Sequence, residues 1–385
     1  MASAFDATRL ILKALHPDLT PAAWETDRDQ TGADWDDLVV RSIVLGLAPQ
    51  LHRRLVEWRV TVPPRPLAKL AVAYQGQGRR NAAIFTQLDE VLEACHTHGL
   101  RPIALKGVHL AAAVYPDPAL RPMKDIDLLF EPAELPEAEK VLNTLGYRGK
   151  HKSADLGPGV TKHTSTYRRA AEQAATPNPY LSADAGRTIE PHTSLEESWF
   201  GLKVDVTPGV RQRAVEAQLG RRVCRVLARD DLLLHLSAHF CFHLIMGAPS
   251  MVQLADLLVV TVAGGIDWPV FVERARQRQA SPYALAALRL AQRLLAAPVP
   301  DAALDELARA TPGSLRSRIA QLGLADILRR TQQKPLTTVM QRIRRGFADR
   351  AETARLAADW RGHWRVWKTA LHVGRTDTGR ILLGK

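Results

Sequence analysis

Residues 103–130 read IALKGVHLAAAVYPDPALRPMKDIDLLF. The short apolar run RPIALKG at 101–107 predicts a strand closing on Lys106-Gly107. VHLAAAVYP predicts a short helix ended by Pro116 and Pro118, and MKDIDLLF at 123–130 alternates as a second strand. In that strand Asp125 and Asp127 stand two residues apart, so both side chains leave one face, about 7 Å apart along the backbone. Two carboxylates so placed can converge on one or two divalent cations. Phosphoryl and nucleotidyl transfer use such a pair, because cations roughly 3.5–4 Å apart neutralise charge at the reacting phosphorus. Hard oxygen donors select Mg2+ or Mn2+. Lys106 and Gly107, at the start of the helix, add a cation and a backbone that phosphate can approach. A third acid is expected on a neighbouring strand, as a further ligand or as base for an acceptor hydroxyl, and Glu190 is the candidate. Taken singly, D-x-D also fits a solvated strand face, and Lys-Gly an ordinary turn.

Around this segment the periodicity is helical. The N-terminus, with Leu10, Ile11 and Leu15, predicts an amphipathic helix, residues 35–60 show helical spacing, and PPRP at 63–66 precedes a long helix stopping at His98-Gly99. PAELPEAEKVLNTLGY predicts a helix from its proline to Gly146. Residues 149–188 read as a loop-rich hairpin with strand-like patches near Thr164 to Arg168, and RTIEPHTSLEES as a further strand carrying Glu190 and His192. From Val215 onward almost every segment reads as helical. The expected organisation is an N-terminal helical region (1–98), a small mixed core (99–210), a helical domain (211–310) and a basic helical tail (311–385).

The chain has 385 residues, of which 46% are hydrophobic and 24% charged, which excludes a disordered or collagen-like polymer. Its formal charge is +12. Residues 311–385 hold 16 basic and 5 acidic residues, a net +11, which leaves +1 for residues 1–310. Polyanion binding is therefore a question about the tail. Cys95, Cys224 and Cys241 form no C-x-x-C pair, which fits a reducing cytoplasm, and Asp6 and Arg9 interrupt any secretory signal. No apolar run approaches the roughly 20 residues that span a bilayer, so no transmembrane segment is expected.

The run from LKG through R-P-M-x-D-I-D resembles the polymerase-β-type nucleotidyltransferases, specifically the uncharacterised nucleotidyltransferase family. RRNAAIFTQLDEVLEACHTHGLRP, IEPHTSLEESW, RDDLLLHLSAHFCFHL, and QLADLLVV followed by Asp267-Trp268 resemble that family in the same order, over roughly residues 70–300. The resemblance implies an α+β fold: a small mixed sheet holding three carboxylates, flanked by N- and C-terminal helical regions. It implies transfer of a nucleoside monophosphate from a nucleoside triphosphate, ATP among the candidates, with Mg2+ or Mn2+. Asp125 and Asp127 match the metal-binding pair, Glu190 the third acid, and Lys106 with Gly107 the nucleotide-positioning turn. The acceptor is a hydroxyl of a small molecule or of a peptide or protein. The sequence departs from the pattern twice. Val108 follows Gly107 where the superfamily has Gly-Ser or Gly-Gly, and Glu190-Pro191-His192-Thr193 replaces acid-x-His-Trp, suggesting an edge or irregular strand. These departures keep a second reading open, a catalytically weak nucleotide- or partner-binding scaffold.

Arg121, Lys124 and His192 are further candidates for phosphate contact, although Lys124 should point away from the aspartates. His235, His239 and His243 share one helical face at zinc-binding spacing, with Cys241 off that stripe, but such a helix also packs beside a core through polar contacts. Trp360, Trp364 and Trp367 alternate with Arg361, Arg365 and Lys368, after Arg342, Arg344 and Arg345. Such a stripe binds nucleic acid or an anionic membrane. The favoured expectation is that the tryptophans pack on the helical domain.

Overall fold

A computed structural model describes residues 4–151, 165–169, 188–331, 339–357 and 360–368. Five helices come first: α1 (Ala4–Ala14), α2 (Pro21–Thr31), α3 (Trp35–Leu45), α4 (Ala48–Glu57) and α5 (Pro64–Thr97). The helical stretch at 35–60 divides because Gly46 caps α3 in the left-handed conformation, φ 73°.

Residues 103–130 fold as β1 (Ile103–Ala104), α6 (Lys106–Ala113) and β2 (Asp125–Leu129), with β1 only two residues long. After α7 (Leu135–Thr144) come β3 (Arg148–His151), β4 (Ser165–Arg168), β5 (Thr188–His192), β6 (Glu196–Trp199), β7 (Leu202–Asp205) and α8 (Val210–Arg213). β3 and β4 pair antiparallel, as the hairpin expected at 149–188 requires. The rest of that expectation, 152–164 and 170–187, lies outside the described residues.

The helical reading from Val215 is corrected. β8 (Val215–Leu219) and β9 (Arg222–Val226) form an antiparallel hairpin, and β9 lies parallel to β1. Gly220 turns it at φ 62°. Helices resume with α9 (Arg229–Met246), α10 (Met251–Ala263), α11 (Trp268–Gln277), α12 (Ser281–Leu295), α13 (Asp301–Arg309), α14 (Gly313–Gln321), α15 (Leu324–Thr331), α16 (Val339–Ala354) and α17 (Trp360–Lys368). None is long and apolar enough to cross a membrane, among the described residues.

The result is an α+β fold. A mixed seven-stranded sheet runs β3-β4-β5-β2-β1-β9-β8, and β6 and β7 form a separate pair. Two apolar cores hold it. One joins Leu10 and Ile11 of α1 to Leu232 and Phe240 of α9, Leu254 of α10, Leu288 of α12 and Val366 of α17, so the first and last helices share an interior. The other joins Ile84, Leu88 and Val91 of α5 to Val108, Ile126, Leu128 and Ile189. Ile126 and Leu128 are fully buried. Burying such side chains contributes about 1.5–3 kcal/mol each, so a one-residue slip of β2 that put its aspartates in their place is excluded. The apolar face thus fixes which way Asp125 and Asp127 point.

Candidate active site

Parallel pairing of β2 with β5 sets Asp127 opposite Glu190 and Leu129 opposite His192. Asp127 is the buried hub of this pair. His192 Nε2 donates to Asp127 Oδ1 at 2.6 Å, and Lys106 Nζ donates to the same oxygen at 3.2 Å. Thr166 Oγ1 on β4 donates to Glu190 Oε1 at 3.3 Å. Lys106 is held at φ 39°, and Leu105 N–H donates to the Asp127 carbonyl at 3.0 Å, which ties the strand-to-helix turn to β2. A non-glycine residue in that region costs on the order of 1–3 kcal/mol, strain that collects at functional sites.

The electrostatics follow from burial and charge density. Burial, then the Asp127 charge, push the Asp125 carboxyl up to about 6, with Glu190 adding to the rise and Lys106 and Arg121 opposing it. Burial, then Lys106, hold His192 below its ordinary value against the bond to Asp127. The neutral imidazole is also a competent metal donor. Asp127, Glu190 and His192 each offer one ligand atom, all within 4.8 Å of one another. Two carboxylates and one neutral imidazole, beside a third carboxylate whose ionisation is opposed by burial and by the Asp127 charge, fit a divalent cation.

Lys106, Asp125, Asp127, Glu190 and His192 therefore come together. Gly107 is buried in the same turn, where an added Cβ would lie 3.0 Å from Arg121 Nη1 and 3.2 Å from Met123 Cγ. Close packing under the R-P-M loop accounts for this glycine. Gly107→Ala is expected to cost about 1–3 kcal/mol, read as a lower urea midpoint. Arg121 turns to α10, its Nε and Nη2 donating to Asp256 at 3.1 and 2.8 Å. Lys124 is exposed.

The two departures acquire physical reasons. Val108 is fully buried in the core beneath the sheet, so position 108 is a packing position. Pro191 sits in a strand with neighbours on both sides, which corrects the edge reading. Phe130 N–H donates to the His192 carbonyl at 2.8 Å, so by alternation the donor that Pro191 lacks faces β4, which among the described residues pairs with β5 at Tyr167–Ile189 alone. The ladder to β2 is unaffected.

The histidines of α9 lie against one another with their rings tilted, His239 and His243 with ring centroids 4.4 Å apart, and His239 Nδ1 donates to buried Glu197 at 3.0 Å. They are not among the ligand groups that the described residues gather. Cys241 is buried, its thiol pushed up to about 12 by burial. On α17 the buried residues are Gly362 and Val366, whereas Trp364 and Trp367 are 62% and 39% exposed, correcting the packing expected of those tryptophans. The side chains of Trp360, Arg342 and Arg345 lie outside the described residues.

Sequence reasoning missed Thr166, Tyr115, Asn81 and Asp256. Asp256 carried a signal: one acid inside the apolar run QLADLLVV must find a partner if that helix is buried.

No curated protein and no solved structure matches the chain. The family model described as uncharacterised nucleotidyltransferase matches residues 31–296, a span that contains the whole sheet, the acid cluster and helices α9 to α12. With more than half of its length matched, the chain belongs to the uncharacterised nucleotidyltransferase family, transferases of phosphorus-containing groups.

Proposed function

We propose that the protein moves a nucleoside monophosphate from a nucleoside triphosphate to a hydroxyl of a small-molecule, peptide or protein acceptor, in a Mg2+- or Mn2+-dependent reaction at Asp125, Asp127 and Glu190. One observation carries the reading: in a nucleotidyltransferase chain, the β2 and β5 carboxylates meet Lys106 and His192 at one point. The acceptor oxygen bonds to the α-phosphorus as the bond from that phosphorus to the β-bridging oxygen breaks, and pyrophosphate leaves. Glu190 takes the hydroxyl proton. A divalent cation, when bound, neutralises charge on the phosphate oxygens. His192 orients Asp127 toward it, and Lys106 leaves Asp127 for the triphosphate beside the first turn of α6. The catalytic unit in this reading runs from residue 99 to the end of β9, beyond the boundary at 210.

Incubation with α-labelled triphosphates, Mg2+ or Mn2+ and cell extract tests this. Label transferred by the native chain and absent with Asp125→Ala/Asp127→Ala is the expected outcome. No transfer, with no metal-dependent nucleotide affinity by calorimetry, would leave a partner-binding scaffold as the reading.

The exposed tryptophans of α17 favour one additional property, nucleic-acid affinity through the tail. Trp364 and Trp367 stand beside exposed Arg361 and Arg365. Because Leu315, Ile319 and Ile327 of α14 and α15 belong to the core, the test uses point variants of the full chain. Arg361→Glu/Arg365→Glu is expected to flatten the salt dependence of single-stranded nucleic-acid binding, and salt-independent binding by the native chain contradicts this property.

A further inference from the structure

The loop between α6 and β2, residues 114–124, has one short 3-10 turn, at Pro118–Leu120, and enters the site at Asp125. It is held by buried polar groups from two distant helices. From α10, Asp256 is fully buried and accepts from Arg121 Nε and Nη2, at 3.1 and 2.8 Å, and from Tyr115 Oη at 2.9 Å. From α5, buried Asn81 donates to the Arg121 carbonyl at 2.9 Å while accepting from Gln77 Nε2 at 2.7 Å. Arg121 Nη1 donates to the Pro122 carbonyl at 2.9 Å and stands 3.0 Å from where a side chain at Gly107 would begin. One guanidinium therefore touches the loop that delivers Asp125 and the turn that delivers Lys106. Desolvating such an ion pair costs several kcal/mol per ion, and apolar residues of similar volume often serve stability as well. Stability alone is a poor reason for its presence.

We propose that Asp256, acting through Arg121, is a positioning residue of the site: it locks the 114–124 loop so that Asp125 and the Lys106–Gly107 turn keep one mutual geometry. The role in catalysis rests on the metal-binding reading of Asp125 given above.

Three full-length variants test it. Asp256→Asn strands the arginine, Tyr115→Phe removes one hydrogen bond, and Arg121→Met/Asp256→Leu removes both charges while keeping the site filled. Each is checked for folding by circular dichroism. The readouts are kcat and KM for the triphosphate, Mn2+ affinity by electron paramagnetic resonance without nucleotide, and amide exchange across residues 122–129.

Asp256→Asn is expected to lower kcat about 100-fold, the scale of a 1 Å misplacement, with KM within about threefold. Mn2+ affinity should fall about tenfold, and exchange at 122–129 should quicken. The double variant should fold as stably as the native chain yet show the same losses, and Tyr115→Phe should fall between. A double variant with native kcat, Mn2+ affinity and exchange overturns the proposal. If the double variant does not fold, native exchange and kcat in folded Asp256→Asn overturn it instead. A native chain that transfers nothing, in which these variants still loosen 122–129, sinks the nucleotidyl-transfer reading and leaves the positioning intact.

Discussion

Asp127→Asn is expected to lower kcat by at least about three orders of magnitude while the protein stays folded. Asp127 is where the site converges: it faces Glu190 across the ladder, and one of its oxygens accepts from both His192 and Lys106. An amide at this position supplies no charge to a divalent cation and only a neutral acceptor to the lysine. It also offers His192 a weaker acceptor. Losing a ligand together with the partners that orient it exceeds the 10- to 100-fold cost typical of disturbing an outer partner alone. Chelation of the native enzyme should reproduce the loss, and only the native enzyme should recover when Mg2+ or Mn2+ is restored. Steady-state pyrophosphate release with a matched circular dichroism spectrum is the check. Residual activity above a few per cent of native would remove Asp127 from the reaction.

Asp125→Asn should likewise be inactive, yet more stable than the native chain at neutral pH. Burial and the Asp127 charge push the Asp125 carboxyl from an ordinary 3.8 up to about 6. A carboxyl whose pKa is higher in the folded chain holds its proton more tightly there. Stability therefore falls as pH rises from about 4 to about 6, and the loss is complete above that. Asparagine carries no charge to penalise. Metal-free Asp125→Asn should gain about 1–3 kcal/mol over the native chain at pH 7.5, and the gain should disappear near pH 4. Urea unfolding at the two pH values measures it. Mn2+ should then stabilise the native chain more than the variant, which keeps Asp127, Glu190 and His192 but lacks one charge beside them. A variant less stable than native at pH 7.5 would mean that the carboxylate has a structural partner.

The region from residue 103 to 130 was legible because three local signals agree there. An apolar run ends in Lys-Gly, prolines close a short helix, and a period of two sets Ile126 and Leu128 against Asp125 and Asp127. Glu190 and His192 could be placed on a strand, but their meeting with Asp127 depends on the parallel β2–β5 pairing between segments some sixty residues apart, which no local pattern specifies. The β8–β9 hairpin was misread although its alternation is present, because five-residue strands around one glycine give too short a period to outweigh the helices that follow. The pairing of Arg121 with buried Asp256 is illegible for a similar reason, because Asp256 lies far along the chain on α10 and no local pattern joins the two. The tail tryptophans show helical spacing with no indication of which face is covered, and Gly362 and Val366 take the buried side.

Metal-dependent nucleotidyl transfer at Asp125, Asp127 and Glu190 is decided by which phosphate of the triphosphate carries the label that moves. The native chain, an acceptor-containing extract and Mn2+ would be given the same nucleotide labelled at the α- or at the γ-phosphate. Nucleotidyl transfer puts α-label on the acceptor and γ-label only in pyrophosphate, and neither should move with Asp125→Ala/Asp127→Ala. Transfer of the γ-label to the acceptor, or α-label transfer that persists in the double variant, would contradict it.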